Sequence, residues 1–190
     1  MRFHSSLRQV FAASSACLTL LTFTTSASWA DDTVFDELRF GTSVSISGRT
    51  HESGIFPSAT VFFDPLSSGA PVSWQQALLE PRIYVGASVG AGDGVDQVFA
   101  GFAWTANITQ KLFLEVGLGG TVHNGDLRDD GSDGPKLGCR LLFREQVAVG
   151  YRVTENWQLM ATADHSSHAN LCDGPNNGLS HAGLALGYKF

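Results

Sequence analysis

The last eleven residues of the chain alternate without a break. Ser180, Ala182, Leu184, Leu186, Tyr188 and Phe190 fall on one face of an extended strand, and His181, Gly183, Ala185, Gly187 and Lys189 on the other. Successive residues of a strand point to opposite sides, so one side of this segment is apolar and the other small or polar. Two upstream segments repeat the pattern. Val147, Val149, Tyr151 and Val153 oppose Gln146, Ala148, Gly150 and Arg152, while Leu159, Ala161 and Ala163 oppose Gln158, Met160, Thr162 and Asp164. A chain patterned in this way has two solutions. It either packs the apolar faces of two sheets against each other, or it closes one sheet into a barrel whose apolar side faces lipid.

Turn residues divide the rest of the chain into short segments with almost no helical periodicity, giving eight candidate strands at about 34–49, 58–66, 80–90, 95–106, 111–123, 137–153, 157–168 and 178–190. Val72 to Leu79 is the one departure and reads as a short helix or amphipathic turn. Ahead of the strands, Met1 to Ala30 carries Arg2 and Arg8 but no acid, then the apolar run Cys17 to Phe23, and closes with Ser28-Trp29-Ala30 before Asp31-Asp32. This is the pattern of a secretory signal peptide over 1–30, cleaved after Ala30, with 31–190 as one barrel domain. The apolar run falls short of the roughly 20 residues a membrane-spanning helix needs. Export, an even strand number and the terminal aromatic residues favour the barrel over the sandwich. The expected fold is therefore all-β: an eight-stranded antiparallel transmembrane β-barrel of the bacterial outer membrane, closed because unpaired backbone has no partner in hydrocarbon.

A formal net charge of −6, to which the leader contributes two arginines, leaves no basic face for nucleic acid. With 43% hydrophobic residues the chain is too apolar for disorder. Asp126, Asp129, Asp130 and Asp133 crowd the glycine-rich loop Asn124 to Lys136, but Leu127 and Arg128 interrupt the alternate-ligand spacing of a calcium loop, so a solvated loop is the plain reading. The histidines come from separate elements without metal-ligand spacing. Neither a metal nor a cofactor is expected.

One short stretch carries chemistry. In Asp164-His165-Ser166-Ser167-His168, His165 and Ser167 share a strand face about 7 Å apart along the strand, within reach of each other's side chains. A serine hydroxyl becomes a nucleophile when a neighbouring imidazole takes its proton, and the imidazole works best when a carboxylate holds its second nitrogen. The two residues lie on the apolar face, with Leu159, Ala161 and Ala163, at the outer end of the seventh strand. Polar groups there are costly unless they meet headgroups, which makes their placement suggestive.

The segments Phe143-Arg144-Glu145, Gly150-Tyr151-Arg152, His165-Ser166-Ser167, Pro175-Asn176, Gly178-Leu179 and Gly187-Tyr188-Lys189-Phe190 resemble the lipid A 3-O-deacylases of the PagL type over roughly the last third of the chain. The resemblance implies a hydrolase that removes the ester-linked 3-hydroxyacyl chain at position 3 of lipid A in the outer leaflet, through a Ser-His-Glu triad and no cofactor. Ser167 takes the place of the nucleophile, His165 of the general base and Asn176 of the asparagine that supports the oxyanion hole. Two positions depart from the pattern: His168 follows the serine where the family has Asn, and Ser180 stands where the triad glutamate is expected. The alternative is a catalytically silent barrel with a structural or lipopolysaccharide-binding role. Lipid A in the outer membrane is the implied partner, and homodimerisation stays open.

Strand register supplies two further expectations. A tight turn at Thr154-Glu155-Asn156 sets Glu145 opposite His165 and Cys139 nearly opposite Cys172. Glu145 is then a candidate for the missing carboxylate, the competing reading being a headgroup-level acid paired with Arg144, Arg140 or a cation. Cys139 and Cys172 are the two cysteines left after cleavage, and in an exported protein they are candidates for a disulfide, against the alternative of two free thiols.

Overall fold

A computed structural model of the protein describes residues 34–48, 52–66, 73–92, 94–131 and 133–190. The leader expected over 1–30 lies outside the described residues. Eight antiparallel strands follow in chain order: β1 Phe35–Ser45, β2 Phe56–Phe63, β3 Arg82–Ser88, β4 Gln97–Asn107, β5 Leu112–His123, β6 Leu141–Arg152, β7 Trp157–Ser167 and β8 Leu179–Lys189. Each strand pairs with its sequence neighbour and β1 pairs with β8, so the sheet closes into a barrel with no free edge. The connections 46–55, 89–96, 124–140 and 168–178 lie at one end, and the links 64–81, 108–111 and 153–156 lie at the other with the start of β1 and the end of β8.

The faces follow the sequence alternation. Phe102, Val116, Leu118, Val147, Val149, Leu159, Leu184 and Leu186 are exposed outward. Inside are Phe62, Tyr84, Phe99 and Ala103, and beside them Phe113, Ala148, Met160 and Ala185. The lumen is also charged at two levels. Near the start of β1, Arg39 Nε donates to Glu37 at 2.8 Å and its Nη1 to Glu115 at 2.8 Å. Arg82 donates to Glu37 at 2.9 Å and also to Asp36 and Glu115. Both guanidinium groups stack on Phe62, at 4.2 and 4.5 Å from its ring centroid. Toward the loops, Arg144 Nη1 donates to Asp164 at 2.8 Å.

Element bounds shift where local chemistry outweighs alternation. The sixth strand, expected from 137, starts at Leu141: Gly138 has φ +69°, and Leu137 turns inward to pack with Val95, Leu142 and Leu179. The first strand stops at Ser45. The expected short helix is α1, Trp74–Leu79, which begins after Ser73 because the Ser73 hydroxyl accepts from the Gln76 N–H at 3.2 Å and caps the first turn. Its Leu78 carbonyl accepts from the indole of Trp104 at 3.1 Å, tying the helix to the barrel wall.

Candidate active site

β7 presents Ala161, Ala163, His165 and Ser167 outward and Gln158, Met160 and Ser166 inward. Its register with β6 sets Glu145 directly across from His165 and Phe143 across from Ser167. Its register with β8 sets Ser180 on the other side of His165. The contact that forms is the second: His165 Nδ1 lies 2.8 Å from Ser180 Oγ. Glu145 stands exposed across the ladder, on the opposite flank of the ring. The imidazole is thus held by a hydroxyl in the position where the family resemblance calls for a carboxylate. Its far edge rests against Gly178, where a Cβ would fall 2.8 Å from His165 Cε1 and where φ is +69°. Only glycine combines that backbone conformation with that clearance.

The loop after β7 is folded back over the site. Ala169 and Asn170 take left-handed φ values of 49° and 59°, which reverse the chain immediately beyond Ser167 and His168. Asn176 Oδ1 accepts from the His168 N–H at 3.2 Å, and Asn176 Nδ2 donates to Asn170 Oδ1 at 3.4 Å, so its amide sits beside the residue that follows Ser167. His168 is buried. Its Nε2 faces the Pro175 carbonyl at 3.2 Å and its Nδ1 faces the Cys172 N–H at 3.4 Å, which assigns the Nε2–H tautomer. Cys139 and Cys172 are bonded, with Cα atoms 6.1 Å apart. Next to the bridge, Lys136 N–H donates to Asn177 Oδ1 at 2.7 Å and Asn177 N–H to the Lys136 carbonyl at 3.1 Å. Cys139, His168 and Cys172 form a group of potential metal ligands among the described residues, but the two sulfurs are spent on each other.

The acidic loop is organised by Lys136, whose ammonium meets Asp126 at 3.0 Å and Asp130 at 2.8 Å. Hydrogen bonds to Asp130 and then Asp126 raise its pKa above the ordinary lysine value. Sequence reasoning brought His165, Ser167, Glu145, Asn176 and Ser180 into one region but missed Gly178 and the Lys136–Asn177 pairing. A glycine directly before an alternating strand is the one signal that pointed to the former.

A closed eight-stranded barrel with an apolar outer face, carrying a histidine and a serine on that face at the loop end, defines an outer-membrane barrel with polar side chains turned toward lipid. A sequence model of the lipid A 3-O-deacylase (PagL) family matches residues 24–189. The chain belongs to that family. Its fold is similar to the crystal structure of the outer membrane enzyme PagL, with a TM-score of 0.61 and 18% identity over 81% of this chain and 99% of that one. It is also similar to a de novo designed transmembrane β-barrel, with a TM-score of 0.50 and 11% identity over 84% of this chain and 98% of the design. No curated protein sequence matches it.

Proposed function

We propose that the protein deacylates lipid A at position 3 by serine-histidine ester hydrolysis on the lipid-facing wall of β6, β7 and β8. The observation that carries this reading is the His165 Nδ1 contact to Ser180 Oγ at 2.8 Å, which leaves Nε2 for the hydroxyl of Ser167 on the same strand face. Ser167 Oγ attacks the ester carbonyl carbon and passes its proton to His165 Nε2. The tetrahedral oxyanion is met by donors that include the Asn176 amide. The glucosamine hydroxyl leaves with the proton from His165, water then attacks the acyl-serine with His165 again as base, and the 3-hydroxy fatty acid departs. Ser180 orients the ring, and the Glu145 carboxylate, one strand away, stabilises the imidazolium that forms. Each of these groups comes from one chain.

Mass spectrometry of lipid A from a Gram-negative host tests the assignment. Expression of the wild type is expected to remove one 3-hydroxyacyl chain, and Ser167→Ala and His165→Ala are each expected to leave lipid A intact while the barrel still migrates as a folded, heat-modifiable band. Equal release by all three refutes the roles given to the two residues. Intact lipid A with the wild type as well supports the silent, lipopolysaccharide-binding alternative.

A further inference from the structure

The ladder between β7 and β8 carries two adjacent rungs with different faces. His165 pairs with Ser180, and Asp164 pairs with His181. Alternation sends the first rung outward, where the imidazole meets the serine hydroxyl, and the second inward. On the inner face His181 Nδ1 lies 3.4 Å from Asp164 Oδ1 and its Nε2 lies 3.1 Å from Glu52 Oε2, so both ring nitrogens donate to carboxylates. Asp164 also accepts from Arg144 at 2.8 Å.

Glu52 belongs to no strand. It enters from the connection between β1 and β2, yet it is only 2% exposed, and its other oxygen accepts from the Val95 N–H at 2.9 Å. The same connection grips β8 at the residue that holds the imidazole: Ile46 N–H donates to the Ser180 carbonyl at 2.9 Å, and Ser180 N–H donates to Ser47 Oγ at 3.2 Å. Phe56, at the far end of the connection, packs on His181 with ring centroids 4.4 Å apart. Burying a carboxylate is costly, and apolar packing would stabilise a loop at least as well; what a fully paired buried ion supplies is one fixed geometry. That geometry fixes the rung next to His165.

We propose that Glu52, with His181 and Asp164, forms a clamp on the inner face of the barrel wall that positions the His165 imidazole on the outer face. The proposal rests on the reading of His165 and Ser167 as the reacting pair. A triad carboxylate would hold the ring through charge; here the ring hangs on a neutral hydroxyl, and whether that hydroxyl meets Nδ1 depends on the spacing of β7 and β8 at this rung. The clamp sets that spacing from behind. Glu52 and His181 are positioning residues and touch no substrate.

The test uses the full-length protein refolded in detergent micelles, with deacylation of purified lipid A and 15N-histidine NMR as separate readouts, the His165 ring being assigned with His165→Ala. In the wild type the His165 Nδ1–H is expected as a slowly exchanging proton. In Glu52→Ala that signal is expected to be lost and kcat to fall roughly tenfold with KM within about twofold, as for a misplaced base. Glu52→Gln keeps an acceptor for His181 and is expected to recover most of both. Should Glu52→Ala fail to fold, Asp164→Asn, which keeps size and an acceptor but loses charge, is read in the same way. An unchanged His165 ring signal in the folded variant overturns the clamp, whatever the turnover. Absence of deacylation by the wild type overturns the hydrolase reading instead, and the ring signal still decides the positioning.

Discussion

A hydroxyl at 2.8 Å from His165 Nδ1 can accept the proton that Nδ1 must carry if Nε2 is to act as base, but it brings no charge to the imidazolium formed during acyl transfer. Glu145 is the acid that the strand register sets beside that ring. Replacing it tests whether its charge is used. Glu145→Gln is expected to lower the deacylation rate about tenfold or more, since removal of the orienting carboxylate from a complete triad costs up to about 10⁴. Ser180→Glu, which returns a carboxylate to Nδ1, is expected to restore part of the rate in the Glu145→Gln background. Full activity of Glu145→Gln alone removes Glu145 from the mechanism and leaves Ser180 as the sole partner of the ring. At this scale the sequence was informative about pairs between β6 and β7, because a tight turn at 153–156 propagates a single register along the two strands. Register alone favoured Glu145 as the partner of His165, and only the family resemblance set Ser180 at the triad position, because no tight turn fixes the register of β8 against β7 in the sequence.

Among the elements, the strands were legible and the long connections were not. Lipid on one side and a packed lumen on the other enforce a two-residue period, and that period survives in the sequence as the alternation of β6, β7 and β8. Connections have no period. Glu52 finds His181 from 129 residues away, and Lys136 finds Asn177 across 41 residues, through contacts that composition does not announce. The start of β6 was misplaced for the same reason: Leu137 is apolar in sequence but serves the loop plug with Val95, Leu142 and Leu179. The Cys139–Cys172 bridge joins this plug to the connection that carries Asn176. Its removal in a Cys139→Ser/Cys172→Ser protein is expected to lower stability by about 2–4 kcal/mol. Deacylation is expected to fall further than the folded fraction does, because Asn176 loses its anchorage. Parallel denaturant titration and lipid A turnover check this, and a rate that tracks the folded fraction alone denies the loop a role in the site.

Across the whole molecule the lumen holds two ion networks, one toward each end of the barrel. The loop end holds the Arg144–Asp164–His181–Glu52 chain behind His165, and the end where β1 starts and β8 finishes holds Arg39 and Arg82 among Asp36, Glu37 and Glu115. Glu115 is 1% exposed and serves both arginines, so Glu115→Gln leaves two buried guanidinium groups short of one negative charge. Breaking a buried ion pair from one side costs about 3–5 kcal/mol, because the remaining charge can neither ionise less nor reach water. Phe62 stacks under Arg39 and Arg82 of this network and Phe99 under Arg144 of the other, with Tyr84 between the two rings, so the networks meet through ring faces and share no ion pair. Glu115→Gln is therefore expected to lower the urea midpoint of the barrel in lipid vesicles while leaving the deacylation rate per folded molecule unchanged. Glu52→Ala is expected to lower both stability and the rate per folded molecule, since it breaks a buried pair and releases the rung next to His165. If the folded Glu115→Gln barrel also loses its rate, the two ion networks act as one through these rings.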